Sequence, residues 1–215
     1  MTVGSKTASR LAELAAACPK CETIADIGTD HGKTAMMLID TEKCRHVIAT
    51  DISRTSLEKA ETLFRKKKRE SFATFLTGDG LQPVLPIPQV GAAVISGIGG
   101  ETISGFLIRD LPLSSIPELI ISPQTDIPSV RRAVYSGGYH ITRERIIESK
   151  RRFYHIINAA KGEEDPPDTQ VLLFGNVKPF TDETVYEHYL AWVQKVFEKI
   201  PVDYRDRVSG NPITF

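Results

Sequence analysis

Residues 26–32, Asp-Ile-Gly-Thr-Asp-His-Gly, form a glycine-bearing turn directly after an apolar run that reads as a β-strand. Gly28 permits a tight turn with bare backbone, and Gly32 lets the next helix pack close to the strand. The dinucleotide pattern G-x-G-x-x-G is absent. A carboxylate at Asp26, with Asp30 nearby, is instead a partner for the cationic amino acid end of S-adenosylmethionine (SAM). The loop residues expected to bind this cofactor are Asp26, Gly28, Thr29, Asp30, His31 and Gly32.

Two further carboxylates follow the second and third predicted strands. Asp51, followed by Ile52, stands where an acidic side chain accepts hydrogen bonds from a ribose diol. Asp79, beside Gly80, is placed to accept a hydrogen bond from the exocyclic amine of adenine. Each could instead be an ordinary helix cap, and a loop-bracing hydrogen bond is the alternative for His31. Acidic residues at the ends of three consecutive strands favour one shared ligand crevice.

The fourth predicted strand ends in Ser-Gly-Ile-Gly-Gly at residues 96–100. Methyltransferases that act on exocyclic amines usually place an Asp/Asn-Pro-Pro-aromatic segment here, and none is present. We interpret Ser96 and Gly97 as a backbone cradle beside the sulfonium of SAM, with room for a planar base. A flexible strand-to-helix turn is the alternative.

The elements that position these residues alternate along the chain. Apolar runs predict strands at 23–27, 46–50, 72–76, 92–96 and 118–122, and amphipathic stretches predict helices at 11–18, 33–41, 53–68, 100–109 and 125–136. Segments 139–148 and 153–160 are too close for a crossover helix, so we expect a hairpin. The predicted fold is α/β, Rossmann-like, of the class I SAM-dependent methyltransferase type: a mostly parallel sheet closed by an antiparallel hairpin.

A short helical extension is expected after this body. The acidic, proline-bearing segment 162–167 predicts a boundary, with a SAM-binding domain at 1–162 and a small, mainly helical part at 163–215. One apolar helical face in this part is formed by Val185, Tyr189, Trp192, Val196 and Ile200.

Composition excludes several classes of protein. The 215 residues are 41% hydrophobic and 25% charged, with 27 basic and 27 acidic side chains, which excludes a disordered or collagen-like chain. Three cysteines are too few for a disulfide framework and indicate a reducing compartment. The apolar run 11–18 is too short for a membrane span. We expect a cytoplasmic protein without a metal site or membrane contact.

Three segments together resemble the bacterial tRNA (adenine-22)-N1-methyltransferase family, over roughly residues 5–165. They are the glycine turn 26–32, the segment 96–100, and Phe-Tyr-His-Ile-Ile at 153–157. The resemblance implies a Rossmann-like SAM domain, a helical C-terminal extension, and methylation of an adenine ring nitrogen in tRNA. Two segments depart from the family pattern: Lys-Thr-Ala at 33–35 and Ser-Pro-Gln at 122–124.

Adenine N1 suits a site without a proline clamp. Its lone pair is unprotonated at neutral pH, so the enzyme needs to orient the base and stabilise the cationic product. The candidate catalytic residues are Asp26, Gly97 and Gly99, and Asp26 could instead serve only to bind cofactor or brace the loop. Two alternatives to a tRNA enzyme stay open: a small-molecule SAM methyltransferase, and a non-catalytic SAM- or RNA-binding relic.

Basic residues around the predicted hairpin indicate a phosphate-binding face. Arg131 and Arg132 on the preceding helix could extend it. A second basic run, 65–69, ends a predicted helix, where cations suit the helix dipole and solvation alone explains them. The candidate tRNA-binding residues are Gln124, Arg143, Arg145, Arg151 and Arg152.

Overall fold

A seven-stranded sheet lies at the centre of the part of the chain that the structure, a computed structural model, describes, residues 10–198. The strands are β1 (Cys21–Ile27), β2 (Cys44–Asp51), β3 (Ala73–Thr77), β4 (Val90–Ser96), β5 (Glu118–Ser122), β6 (Tyr139–Ser149) and β7 (Arg152–Lys161). Their order across the sheet is β3-β2-β1-β4-β5-β7-β6. The first five are parallel, and β7 pairs antiparallel with both β5 and β6. The predicted α/β fold with its closing hairpin is confirmed.

Seven helices accompany the sheet within the described range. They are α1 (Arg10–Ala17), α2 (Lys33–Asp40), α3 (Arg54–Lys66), α4 (Gly100–Asp110), α5 (Ile127–Ser136), α6 (Thr169–Phe174) and α7 (Glu183–Glu198). None of these helices combines the length and hydropathy needed to cross a membrane.

The hydrophobic core has two layers, one on each face of the sheet. On β1, Ile24 faces the layer formed with Leu38 of α2 and Phe64 of α3. Its neighbour Ala25 faces the opposite layer, with Ile103 of α4. This alternation is the two-residue period of a strand buried on both sides, as expected of a parallel sheet covered by helices.

Element boundaries differ from the sequence prediction by a few residues. Phe72, predicted to begin a strand, lies in a short 3-10 turn before β3. The helix predicted from residue 125 begins at Ile127, because the side chain of Asp126 caps it by accepting a hydrogen bond from Ser129 N at 3.4 Å. Ile200 lies outside the described residues.

A buried ionic cluster attaches the C-terminal helices to the body. Arg131 of α5 and Glu144 of β6 are each 2% exposed and form two hydrogen bonds, of 2.8 and 2.9 Å. His155 of β7 contacts the same carboxylate at 2.7 Å. Arg131 also donates to the carbonyls of Leu172 and Leu173 at the end of α6. The interpretation of Arg131 as a phosphate contact is therefore wrong, because its guanidinium is buried in this cluster.

Replacing Glu144 by Gln is predicted to destabilise the protein by about 3–5 kcal/mol, since the change leaves the guanidinium of Arg131 buried without its counter-ion. Burial alone would raise the pKa of Glu144, but hydrogen bonds from His155 and Arg131 hold it below the usual value. The stabilisation is therefore complete above the ordinary glutamate pKa and is lost as the pH falls through the lowered value.

Urea unfolding measures this difference, with Glu148→Gln as the matched control. Glu148 lies on the same strand, and its contact with His188 is partly exposed, so this control is predicted to change stability by less than about 1 kcal/mol. Equal effects of the two substitutions would contradict the structural role of the cluster.

Candidate functional site

The order of the strands identifies one crevice. After β1 the chain adds strands on one side of the sheet, and from β4 it adds them on the other. In open α/β sheets, ligands bind outside the carboxyl ends of the strands at such a switch point. The glycine turn after β1 and the segment after β4 flank this crevice, as predicted.

The glycine turn requires its two glycines for different reasons. Gly28 has a φ of +72°, and a Cβ there would lie 2.5 Å from Cδ1 of Ile98, in the loop after β4. Gly32 has a φ of +70°, and a Cβ there would lie 2.8 Å from Cβ of Ala60 on α3. The first glycine therefore joins two loops of the crevice, and the second allows α3 to approach.

Asp26 lies under the turn rather than on its surface. The residue is 1% exposed, and Oδ2 accepts hydrogen bonds from Thr29 Oγ1 at 2.6 Å and from Ala35 N at 3.1 Å. Ala35 is in the first turn of α2, where a carboxylate satisfies a free backbone N–H and suits the helix dipole. These contacts support the loop-bracing interpretation, and direct contact of Asp26 with substrate stays a prediction.

Asp51 joins the ends of β1 and β2. Its Oδ2 accepts a hydrogen bond from Asp30 N at 3.0 Å, and its Oδ1 accepts one from Ser53 N at 2.8 Å. Ser53 is the N-cap of α3. The alternative interpretation of Asp51 as the cap of this helix is therefore wrong. A carboxylate has about four lone-pair sites, and two of them remain for a diol. The adjacent Ile52 is 73% exposed, an apolar surface at the crevice.

Asp30 and His31 form the outer rim of the turn. Asp30 has a φ of +50°, and its carboxylate contacts Nδ1 of His31. Both side chains are about half exposed. The hydrogen bond agrees with the bracing interpretation of His31.

Asp79 has a partner that the sequence reasoning missed. Its Oδ2 accepts a hydrogen bond from Arg109 Nη1 at 2.7 Å, and Arg109 also pairs with Asp110, which is 1% exposed. Asp110 in turn accepts from Leu81 N at 2.9 Å and so holds the loop that follows Gly80. The available signal was Asp110 itself, an acidic residue at the C-terminus of α4, where the helix dipole disfavours a carboxylate. Adenine binding by Asp79 stays a prediction.

The loop after β4 is joined to the loop after β5. Gln124 N donates to Ile98 O at 3.0 Å, and Gly100 N donates to Thr125 Oγ1 at 3.2 Å. Gly97 has a φ of +83°, and the Gln124 side-chain amide is the nearest group to the position its Cβ would occupy, at 4.0 Å. The predicted donor-site residues Ser96 and Gly97 thus lie beside the predicted substrate residue Gln124.

The predicted arginine cluster separates into two groups, which corrects the sequence interpretation. Arg145 Nη1 lies 2.7 Å from Glu13 Oε2 of α1, and Arg143 stacks over the ring of Phe180 at 5.4 Å. Both residues lie on the middle of β6, away from the hairpin turn, and each contacts a partner within the chain. Arg151 and Arg152 are at the hairpin turn, at the carboxyl edge of the parallel strands, and line a cleft with Gln124.

The basic run 65–69 ends near the amino ends of the parallel strands, opposite the crevice. It begins in the last turn of α3 and continues past the end of that helix, and Arg69 lines a depression with Cys21 and Cys44, the first residues of β1 and β2. This placement is away from the crevice, so solvation of a helix end is sufficient to explain the run.

Comparisons with known proteins agree with this geometry. A family described as "Methyltransferase domain" matches residues 7–157. The tRNA (adenine(22)-N(1))-methyltransferase of Bacillus subtilis is 27% identical over 161 residues, which cover 74% of this chain and 67% of that protein. The structure of M. capricolum TrmK in complex with S-adenosyl-homocysteine (SAH) superposes with a TM-score of 0.74 at 25% identity, over 90% of this chain and 88% of that one.

The fold extends beyond the matched domain. The crystal structure of the B. subtilis M1A22 tRNA methyltransferase TrmK covers 95% of this chain and 88% of its own, with a TM-score of 0.74 and 23% identity.

Asp26 generates a prediction for the pH dependence of stability. Burial raises its pKa to about 6, although the hydrogen bonds from Thr29 and Ala35 oppose the shift. The folded state therefore binds more protons than the unfolded state between about pH 4 and 6, and stability must fall as the pH rises through that window. Asp26→Asn keeps an acceptor oxygen and removes the titration.

Urea unfolding of both proteins from pH 4 to 8 measures this effect. We expect the wild-type protein to lose roughly 1–3 kcal/mol relative to Asp26→Asn as the pH rises from 4 to 7. Parallel stability curves would show that Asp26 is ionised in the fold without an energetic penalty.

Proposed function

This chain belongs to the methyltransferase-domain family, and from that membership we propose that it transfers the methyl group of SAM to N1 of an adenine in tRNA. The observation that carries the proposal is the crevice at the β1–β4 switch point, where a glycine turn, an available carboxylate at Asp51 and open backbone at Gly97 meet. The named activity of the B. subtilis relative supports the same substrate, and the SAH bound to M. capricolum TrmK supports the same cofactor.

The donor set fits SAM in its chemistry. Asp51 retains lone pairs for a ribose diol, Ile52 offers an exposed apolar surface for adenine, and Asp30 presents a half-exposed carboxylate toward a cationic group. Gly97 allows close approach of a ligand to its backbone, because the nearest group to its Cβ position is 4.0 Å away, whereas Ile98 occupies that space at Gly28. When bound, SAM supplies a methyl group activated by the sulfonium.

The residues of this chain need to orient the base rather than to remove a proton. In the transfer, the N1 lone pair forms the new bond to carbon while the carbon–sulfur bond breaks, and the adenine ring takes up the positive charge. Gly97 leaves room for a planar ring, Gly99 of the same loop lies next to Thr125, and the Gln124 amide beside Gly97 can hydrogen-bond the edge of the ring. Asp26 acts by holding the turn in place, which makes it a positioning residue.

The boundary at residue 162 and the cytoplasmic location belong to the same proposal. After β7, α6 and α7 are attached through the Arg131–Glu144 cluster, which supports a small extension on a single catalytic body. A tRNA substrate and three free cysteines fit the cytoplasm.

Incubation with labelled SAM and unmodified bulk tRNA, followed by nucleoside analysis, is expected to yield 1-methyladenosine. Label in another nucleoside would contradict the proposed target atom. SAM binding without label in any RNA would favour the relic, and label in small metabolites alone would favour the small-molecule enzyme.

Asp51→Ala is expected to weaken SAM binding by roughly 1.5–3 kcal/mol, the scale of hydrogen bonds to a charged group. Titration calorimetry measures the dissociation constant, with Asp40→Ala as the control, because Asp40 is an exposed carboxylate at the far end of α2. An unchanged constant for Asp51→Ala would limit this residue to bracing Asp30 and Ser53.

A further inference from the structure

A second cleft opens beside the crevice, on the side of the hairpin. It has a volume of about 470 Å³ and lies between α1, the loop after β5, the hairpin turn and α7. None of the eight described residues that line it is acidic. The side chains used in the following argument are Arg10, Gln124, Arg151, Arg152, Tyr154 and Trp192.

The cleft concentrates positive charge on a neutral protein. Arg10, Arg151 and Arg152 reach it from two separate elements. The guanidinium of Arg10 stacks over the ring of Tyr154 at 4.6 Å, and its Nε is buried without a hydrogen-bond partner among the described residues. A planar guanidinium with an unused donor is suited to a phosphate, which accepts two parallel hydrogen bonds.

The hairpin turn places its basic residues at a cost in backbone conformation. Ser149 pairs with Arg152, so Lys150 and Arg151 form a two-residue loop, and their φ values are +51° and +61°. Both positions of such a turn favour Asn-Gly, because side chains strain this conformation. The turn thus places two basic residues beside a cleft at positions where Asn-Gly would close the hairpin with less strain.

Trp192 presents an aromatic surface at the same cleft. Its side chain lies against Phe153 and Tyr189, with ring centroids 5.7 and 6.0 Å apart, and the residue is still 49% exposed. Tyr189 packs on His155, a member of the buried ionic cluster. The indole is therefore packed against two rings and exposed at the rim of the cleft. A nucleobase can stack on an aromatic side chain that is placed in this way.

We propose that this cleft binds the nucleotide adjoining the target adenine, with its phosphate held by Arg10, Arg151 and Arg152 and its base stacked on Trp192. The cleft adjoins the proposed methyl-transfer site, because Gln124 lines the cleft and also lies beside Gly97. The inference therefore rests on the proposed function. An adenine whose N1 is methylated must leave its stack. Holding the neighbouring nucleotide stabilises that extruded state.

Trp192 is the only tryptophan of the chain, so its fluorescence reports on the cleft directly. The 215-residue chain, saturated with SAH, is titrated with unmodified bulk tRNA, with free N-acetyltryptophanamide as the optical control. Stacking is expected to quench at least half of the emission, whereas SAM alone leaves it unchanged. Unchanged emission at tRNA concentrations that saturate methylation would overturn the proposal.

Substitution of the indole gives the second measurement. Trp192→Ala is expected to weaken tRNA binding by roughly 5- to 100-fold, the range for loss of one stacked base, and to raise KM for tRNA with little change in KM for SAM. Trp192→Phe should restore most of the affinity. An alanine variant that binds tRNA as the wild type does would contradict base stacking.

The strained turn allows a variant whose stability and RNA binding change in opposite directions. Lys150→Asn with Arg151→Gly relieves the strain, so Tm should rise by about 2–4 °C or more. Loss of the cations should weaken tRNA binding by about tenfold and flatten its salt dependence by up to about one unit of slope per phosphate contact.

Lys68→Gly is the matched control. Lys68 is a basic residue with a φ of +54° that follows the end of α3, at the opposite edge of the sheet. The substitution should also raise Tm, but it should leave tRNA affinity unchanged. Equal tRNA affinity of the double variant and the wild type would overturn the proposal.

These outcomes separate the cleft from the activity. Methylated tRNA with no response of Trp192 refutes the cleft and leaves the proposed function intact, whereas SAM binding with no methylated RNA refutes the function itself. Emission that depends on protein concentration without RNA would assign the cleft to a second copy of this chain, which also overturns the proposal.

Discussion

The buried carboxylate of Asp26 is the constraint on which the geometry of the proposed donor site depends. One oxygen accepts from the hydroxyl of Thr29 and from the first turn of α2, so strand, turn and helix share a single acceptor. The turn that results presents Asp30 N to Asp51, which sets the carboxylate at the end of β2. It also brings Gly28 against Ile98, whose carbonyl accepts from Gln124. Burial of one charge thus fixes the turn after β1, which in turn contacts the loops after β2 and β4.

A second buried ionic group connects the C-terminal helices to the hairpin. Arg131, Glu144 and His155 tie α5, the hairpin and α6 together, and Tyr189 packs on His155. Breaking such a buried cluster is far more costly than breaking an exposed ion pair. Because Tyr189 of α7 packs on His155 of the cluster, α7 is held against the hairpin. Trp192 of α7 therefore lines the same cleft as Gln124 and the hairpin turn.

The sequence was sufficient to predict the sheet and the positions of Asp26, Asp51 and Gly97 at the ends of its strands, because both follow from local patterns. Short apolar runs that end in glycine and aspartate identify the carboxyl ends of parallel strands. Binding of the methyl donor by these residues stays a prediction. The arginines could not be assigned in this way. Arg145 pairs with Glu13, 132 residues away, and a local count of positive charges does not reveal such a partner. Arg10 and Trp192 meet only through the fold, so neither could be recognised as part of a cleft.

We propose that the loops after β1, β2 and β4, at the switch point of the sheet, form the methyl-donor site. A crystal structure of this protein with SAH tests this assignment. We expect the ribose hydroxyls within hydrogen-bond distance of the Asp51 carboxylate, and the sulfur between the backbone of Gly28 and that of Gly97. SAH bound at the amino ends of the strands, or in the cleft beside Trp192, would contradict this assignment of the donor site.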